Sequence, residues 1–161
     1  MALVLNEEQQ MLKESAQGFL AEHAPVSELR TQRDAGNKTG YSSTLWPQMV
    51  NMGWAAILVS EEYGGLAFGH VGMAQIVEQS GRTLTASPLL STAILGVTAI
   101  NLAGSEEQKT ELLGAIAGGE LTIALAVDEK THHDPMQIAM SAERKGEGYV
   151  INGEKRFVVD G

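Results

Sequence analysis

The stretch "GSEEQKTELLGAIAGGELTIALAV", residues 104–127, changes its apolar pattern near Glu120. Its first part repeats apolar residues at the three- and four-residue intervals of a helix, and two glycines end that part. Its last seven residues are apolar and partly β-branched, as in a strand. Because a change from helices to strands usually marks a domain boundary, the sequence predicts a helical domain over residues 1–119 and a β domain from residue 120 to 161.

The residues before this change predict a series of helices with clear start signals. Asn6 with Gln9 forms a capping-box pattern ahead of a helix that reaches Pro25, and Ser105 with Gln108 repeats that pattern. Four further helices are predicted between these two: a short one within 27–40, one capped by Ser43 and ended by Gly53, one over about 71–80 with Gly81 as its stop, and one over 88–103.

A turn joins two of these helical segments. In "SEEYGG", residues 60–65, Gly64 and Gly65 allow a backbone path that side chains would block. This turn contains no strand followed by a glycine-rich phosphate motif, so it does not predict a nucleotide site of that kind.

The residues from 120 onward predict short strands. Asn152-Gly153 is the dipeptide most typical of a tight hairpin turn, so the two segments beside it are predicted to pair. About forty residues without a disulfide or metal are too few for an independent core, so only the opening of a larger β domain is predicted. The predicted strands are 121–127, 137–144, "GYVING" at 148–153 and "KRFVV" at 155–159.

Composition excludes several function classes. With 20 acidic and 11 basic side chains, the net charge is -9, which disfavours nucleic acid as a partner. The sequence has no cysteine, which removes thiol chemistry and is typical of a reducing compartment, so we expect the cytoplasm. Residues 83–105 carry no charge, but Pro88 at a helix start and interspersed polar residues predict a buried helix and no membrane span.

The residues alone do not assemble a complete active site. His132, His133 and Asp134 are potential metal ligands, but neighbouring side chains on an extended chain point to opposite sides. A solvated loop is therefore predicted there, and no metal site. Acidic pairs near helix starts are explained by the helix dipole and need no catalytic role.

Four motifs occur in an order and spacing that is more informative than any one of them: "SEEYGGLAF", "VEQSGRTLTASPLL", "GSEEQKTELLGAIAGGELTIALAVDE" and "GYVINGEKRFVVDG". Together they resemble the first part of the acyl-CoA dehydrogenase family. The resemblance implies a mainly α fold, in which an N-terminal helical-bundle domain precedes the first strands of a β-barrel domain. It also implies FAD-dependent α,β-dehydrogenation of an acyl-CoA thioester, in which a glutamate removes the α proton and the flavin accepts a hydride.

The resemblance further implies which residues face the flavin. A Leu-Thr-Glu-type segment of the family aligns with 127–129, and a Trp-Ile-Thr-type strand aligns with 157–159. Val127, Asp128, Phe157 and Val159 are therefore the expected cofactor-binding residues. Asp128 stands where a hydroxyl residue is usual, and Val159 lacks the hydrogen-bond donor of the usual threonine. The departures fit a divergent subgroup, or ordinary family function with compensating changes; alternatively, Asp128 and Phe157 are only turn and core residues.

The resemblance places the acyl chain and the partners as well. It implies that the uncharged helix contributes to the acyl pocket, although core packing is the alternative for each candidate. The implied setting is fatty acid metabolism, with an electron-transferring flavoprotein or similar acceptor and a homo- or hetero-oligomeric full-length form. The acyl-pocket candidates are Leu89, Leu90, Ala93 and Ile94.

The catalytic glutamate of the family and much of its FAD site lie beyond these residues. We therefore expect no catalytic base in the chain, and no activity from the chain alone. A second hypothesis is a short helical module for binding or subunit interaction, whose open apolar strand edge a partner covers.

Overall fold

The computed structural model describes residues 4–161, so residues 1–3 of the predicted helical domain lie outside it. The described residues up to Ile123 form one compact unit, here called the helical unit, and Ala124–Gly161 form a second, the hairpin unit. The helices are α1 (Glu7–His23), α2 (Val26–Asp34), α3 (Leu45–Asn51), α4 (Gly69–Thr83), a π-helix (Leu89–Gly96), α5 (Val97–Ala103) and α6 (Glu106–Ala117), with 3₁₀ turns at Trp54–Ala56 and Glu61–Tyr63; the strands are β1 (Ser141–Lys145) and β2 (Gly148–Asn152).

Both predicted capping boxes are confirmed. At α1, the Asn6 side chain accepts the Gln9 backbone N–H at 2.8 Å, and the Gln9 side chain accepts the Asn6 N–H at 3.1 Å. At α6, Ser105 and Gln108 make the same reciprocal pair at 3.3 and 2.9 Å. Each box satisfies two backbone donors that a helix start leaves without partners.

Other helix boundaries differ from the predicted ones. The predicted Ser43 cap is wrong, because Ser42 accepts the Leu45 N–H at 3.3 Å and α3 begins at Leu45. Helix α4 continues past Gly81 to Thr83, since one glycine costs a helix interior only about 1 kcal/mol. The predicted single helix over 88–103 is a π-helix that passes into α5 at Val97.

The helical unit is built on two apolar clusters. In the first, Trp54 is fully buried, and the ring of Phe19 from α1 meets it edge-on at a centroid distance of 5.2 Å. The second is formed by α5, α6 and Val59, which lies between the two 3₁₀ turns. Val59 and Leu113 are fully buried in it. Because helix packs on helix throughout, the predicted helical-bundle class is confirmed.

The hairpin of the second unit does not turn where the sequence predicts. Strands β1 and β2 pair antiparallel from Ser141 opposite Asn152 to Lys145 opposite Gly148. The turn is therefore at residues 146–147, where Gly146 supplies a φ of +66°. The predicted Asn152-Gly153 turn is wrong, because Asn152 is the last residue of β2.

Two predicted strands are also absent from the described residues. In 121–127, the Thr92 hydroxyl is hydrogen-bonded to both the N–H and the C=O of Ile123. These two backbone groups are therefore not available to a neighbouring strand. In 155–159, Phe157 has a φ of +53°, which interrupts an extended path. The predicted strand over 137–144 is formed only from Ser141 onward.

No helix of residues 4–161 combines the length and the apolar character that crossing a membrane requires. The uncharged residues 83–105 are instead divided among the end of α4, the π-helix and α5. Leu89, Ala93 and Val97 in this segment are buried in the apolar clusters.

The turn at Gly64-Gly65 is confirmed as a place where side chains do not fit. Gly64 has a φ of +82°, and a Cβ on Gly65 would lie 2.0 Å from the Val59 carbonyl oxygen. We expect Gly65→Ala to lower the free energy of unfolding by about 1–3 kcal/mol, since the backbone must move. Gly18→Ala is the matched control: its Cβ meets open space in α1, so a gain of about 0.5–1 kcal/mol is expected. Urea unfolding measures both variants, and equal midpoints would contradict the steric conflict at Gly65.

Candidate functional site

An ion pair of low exposure joins separate segments of the hairpin unit. Lys155 Nζ lies 2.7 Å from Glu129 Oε1 and donates to the Val127 carbonyl oxygen at 2.9 Å. The Glu129 carboxylate also accepts the backbone N–H groups of Ala139 and Met140. The Glu129 side chain is 7% exposed and that of Lys155 is 17% exposed, so both charges are largely withdrawn from water.

The partners of Glu129 keep it ionised. The Lys155 ammonium lowers the pKa of the Glu129 carboxyl most strongly, and the N–H groups of Ala139 and Met140 add to the effect, while burial acts in the opposite direction. The sequence gives no spacing signal for this pair, because its members lie 26 residues apart and meet only through the fold.

The neighbouring Asp128 is bound into the same region. Its two carboxylate oxygens lie 3.0 and 3.1 Å from His133 Nδ1, and one of them accepts the Asp134 N–H at 3.2 Å. The hydrogen bond with His133 is the main cause that lowers the pKa of Asp128, with smaller contributions from the Asp134 N–H and the charge of Lys155. The backbone carbonyl of Asp128 accepts the Arg156 N–H at 2.7 Å.

These contacts place the two predicted flavin segments next to each other. The Asp128 carbonyl accepts a hydrogen bond from the N–H of Arg156, the residue before Phe157. The Val127 carbonyl accepts one from the Lys155 ammonium. Phe157 is 72% exposed and Val159 is 42% exposed, whereas Val127 and Asp128 are half-buried. All four predicted cofactor residues thus lie in one region of the hairpin unit, and their role stays a prediction.

The predicted acyl-pocket residues lie together in the π-helix of the other unit. Leu89 and Ala93 are buried in the first apolar cluster, and Ile94 packs against it. Leu90 is 46% exposed. The structure thus places two of the four in the core and leaves Leu90 with free surface; their contact with an acyl chain stays a prediction.

Thr92, which the sequence did not single out, is the polar anchor of this π-helix. Its hydroxyl oxygen lies 3.0 Å from both the N–H and the carbonyl oxygen of Ile123, so it accepts from one and donates to the other. Thr92 is fully buried, and a buried hydroxyl requires such partners. A π-helical turn is often found at functional sites, which is a signal that the sequence pattern does not carry.

The histidines do not form a metal centre in the described part of the chain. Residues 4–161 contain no cluster of three His, Asp or Glu side chains arranged to hold a metal ion. His133 contacts Asp128, while His132 contacts the hydroxyl of Thr131.

Comparison with known proteins agrees with this architecture. The family model of the acyl-CoA dehydrogenase N-terminal domain matches residues 6–120. The chain belongs to the acyl-CoA dehydrogenase family. It is 32% identical over 161 residues to the mitochondrial isovaleryl-CoA dehydrogenase of Bos taurus, and the alignment covers 98% of this chain.

Solved structures share the fold of this chain. A chain from a structure of the electron-transferring flavoprotein of Acidaminococcus fermentans is 29% identical with a TM-score of 0.83, over 100% of this chain. The acyl-CoA dehydrogenase of Bacillus anthracis, solved in complex with FAD, is 27% identical with a TM-score of 0.76, over 96% of this chain. This chain spans 37% of the bovine relative and 42% and 27% of these two structures.

The Thr92 contact predicts a measurable loss of stability. Thr92→Val keeps the shape of the side chain but leaves the backbone groups of Ile123 without their partner, so we expect a loss of about 1–3 kcal/mol. Thr110→Val in α6 is the matched control, because Thr110 is exposed and water can replace its hydroxyl; a change within about 0.5 kcal/mol is expected. Urea unfolding of both variants tests this, and similar losses would contradict the anchoring role.

The Glu129 pair predicts an acid-dependent loosening of the hairpin unit. The pKa of Glu129 is lower in the folded chain than its ordinary value of about 4.3. The stabilisation that Glu129 gives the hairpin unit is therefore complete above that value, and it is lost as the pH falls through the lower folded pKa. The amide shift of Met140 in an NMR titration reports this step. We expect a midpoint below about 4.3 in the wild type and no such step in Glu129→Gln. A wild-type midpoint at or above that value would refute the pairing.

Proposed function

We propose that this chain is the N-terminal part of an FAD-dependent dehydrogenase that forms an α,β double bond in an acyl-CoA thioester. The structural observation that supports this proposal is the exposed ring of Phe157. The two residues before it, Lys155 and Arg156, are hydrogen-bonded to residues 127–129. Membership of the acyl-CoA dehydrogenase family supports the same reaction class. The activity of the whole protein is part of this proposal.

Two exposed apolar side chains support a contact with one face of a flat ring system. Phe157 is 72% exposed, although a large apolar side chain is normally buried, and its φ of +53° is rare for such a residue. Uncommon backbone conformations of this kind concentrate at binding sites. Val159, 42% exposed, adds apolar surface in the same segment. We propose that these two side chains pack against the flavin.

The charge of Asp128 does not exclude this arrangement. The carboxylate is engaged by His133 and by the Asp134 N–H, so its negative charge has local compensation. The backbone of Asp128 still lines the region through its bond with Arg156. The side chain of Val159 provides no donor for a ring nitrogen or oxygen, so we propose that this side chain contributes to the site by packing.

When bound, FAD would supply the hydride acceptor of the reaction. The residues described here would orient the flavin ring and shield it from water. Phe157 and Val159 would exclude water from one face of the ring, and Val127 and Asp128 would border that face. The π-helix residues Leu89, Leu90, Ala93 and Ile94 are proposed to shape the acyl pocket. We propose that the catalytic base lies outside these 161 residues and that they are inactive alone.

The electron acceptor and the assembly belong to the same proposal. An electron-transferring flavoprotein or similar acceptor is proposed, because one similar chain comes from a structure of such a protein. A homo- or hetero-oligomeric full-length form, a role in fatty acid metabolism and a cytoplasmic location stay predictions.

A binding module remains the second candidate, and one observation favours it. Tyr149 and Ile151 lie on the same face of β2 and are 66% and 64% exposed, which leaves an apolar strand face open. The reading frame after Gly161 separates the two candidates. Further strands and a helical region with a glutamate support the enzyme, whereas an immediate stop codon supports the module.

The proposed flavin contact is tested in the protein extended to the end of its reading frame. We expect Phe157→Ala to weaken FAD binding by about tenfold, because it removes the exposed ring. Tyr149→Ala, which removes another exposed aromatic ring from β2, is the matched control and should leave the affinity unchanged. Val159→Thr adds a hydrogen-bond donor and should tighten binding by about 2- to 10-fold. Fluorescence titration with FAD measures all three; equal effects of the two ring deletions would rule out the assignment.

A further inference from the structure

The hairpin unit lacks an apolar core among its described residues. No apolar side chain of Ala124–Gly161 is buried, and both strands are exposed along their whole length. Against this background, the 7% exposure of the Glu129 side chain stands out, since a charged group normally remains in water. An ion pair is therefore one of the enclosed contacts of this unit.

That ion pair connects the segments on which the proposed flavin contact depends. Lys155 lies two residues before Phe157, and its ammonium bonds Glu129 and the carbonyl of Val127. The Arg156 N–H bonds the Asp128 carbonyl, which continues the same connection by one residue. The position of Phe157 relative to Val127 is thus held both by the Lys155 side chain and by the backbone of Arg156.

We propose that Lys155 and Glu129 are positioning residues that hold Phe157 and Val159 against residues 127–129 in the orientation that receives the flavin. The inference rests on the proposed function for the identity of the ligand. Two of the three donors of the Lys155 ammonium are used by protein oxygens, which supports a role in ordering the protein.

The neighbouring cations do not contact Glu129. Arg156 pairs with the exposed Glu154 at 3.0 Å, and its own side chain is 48% exposed. Lys130 bonds the side chain of Gln137 and not Glu129. The loss of Lys155 therefore leaves the enclosed Glu129 carboxylate without a cation. Because an enclosed charge without a partner is unfavourable, we expect the segment around Glu129 to move.

The first test uses the 161-residue chain without flavin. In Lys155→Met, we expect the NMR resonances of the Phe157 ring and the Met140 amide to shift, and the amide resonances of α1 to stay in place. Lys155→Arg keeps the cation and should restore most of the wild-type positions. Arg156→Met is the matched control and should leave Met140 unchanged. Unshifted Phe157 resonances in Lys155→Met would overturn the positioning role.

The second test uses the protein extended to the end of its reading frame. We expect Lys155→Met and Glu129→Gln to weaken FAD binding by on the order of tenfold or more and to alter the visible circular dichroism of the bound flavin, since small displacements have large effects. Lys155→Arg should recover both readouts. Unchanged affinity and dichroism in Lys155→Met would overturn the inference.

The two tests distinguish the failure of this inference from that of the proposed function. A wild-type protein that binds no FAD contradicts the proposed function and the identity of the ligand. The Phe157 shifts in the flavin-free chain still decide whether Lys155 and Glu129 position that residue. If Lys155→Met unfolds the whole chain, the Lys155→Arg variant decides: wild-type Phe157 resonances support positioning by the cation, and displaced ones contradict it.

Discussion

The Glu129 carboxylate holds together a unit that has no buried apolar side chain of its own. It accepts hydrogen bonds from the Lys155 ammonium and from two backbone N–H groups, those of Ala139 and Met140. These bonds connect three segments of Ala124–Gly161, around residues 129, 139–140 and 155. The helical unit is stabilised differently, since Trp54 and the side chains around it are buried away from water. One chain therefore combines a unit that depends on apolar burial with one that depends on a few charge-assisted contacts.

This difference explains what the sequence could predict. Helix starts such as Asn6 and Ser105 carry local signals, because the cap and its partner lie three residues apart. Strands depend on their partners, and the Asn152-Gly153 signal was overridden by a register that places Gly146 at the turn. In the candidate site, the resemblance predicts a flavin contact for Phe157 and Val159, which stays a prediction, and no local pattern indicates that Lys155 meets Glu129 across 26 residues.

The departures from the family pattern have a structural context. Asp128 faces His133 and the Asp134 N–H, so its charge is used within the 128–134 loop. A hydroxyl residue would offer a single oxygen at this position, whereas both carboxylate oxygens of Asp128 lie within 3.1 Å of His133 Nδ1. The departure at Asp128 thus coincides with hydrogen bonds of its side chain inside its own loop, which fits a local role for this carboxylate.

The four proposed acyl-pocket residues cannot all act in the same way. Leu89 and Ala93 have at most 3% of their surface exposed, so neither offers surface to a ligand unless the core opens. Leu90 is 46% exposed, and Ile94 lies between these extremes. Under the proposed function, direct contact with an acyl chain is therefore assigned to Leu90 and Ile94. Leu89 and Ala93 set the position of the π-helix, which Thr92 anchors to Ile123.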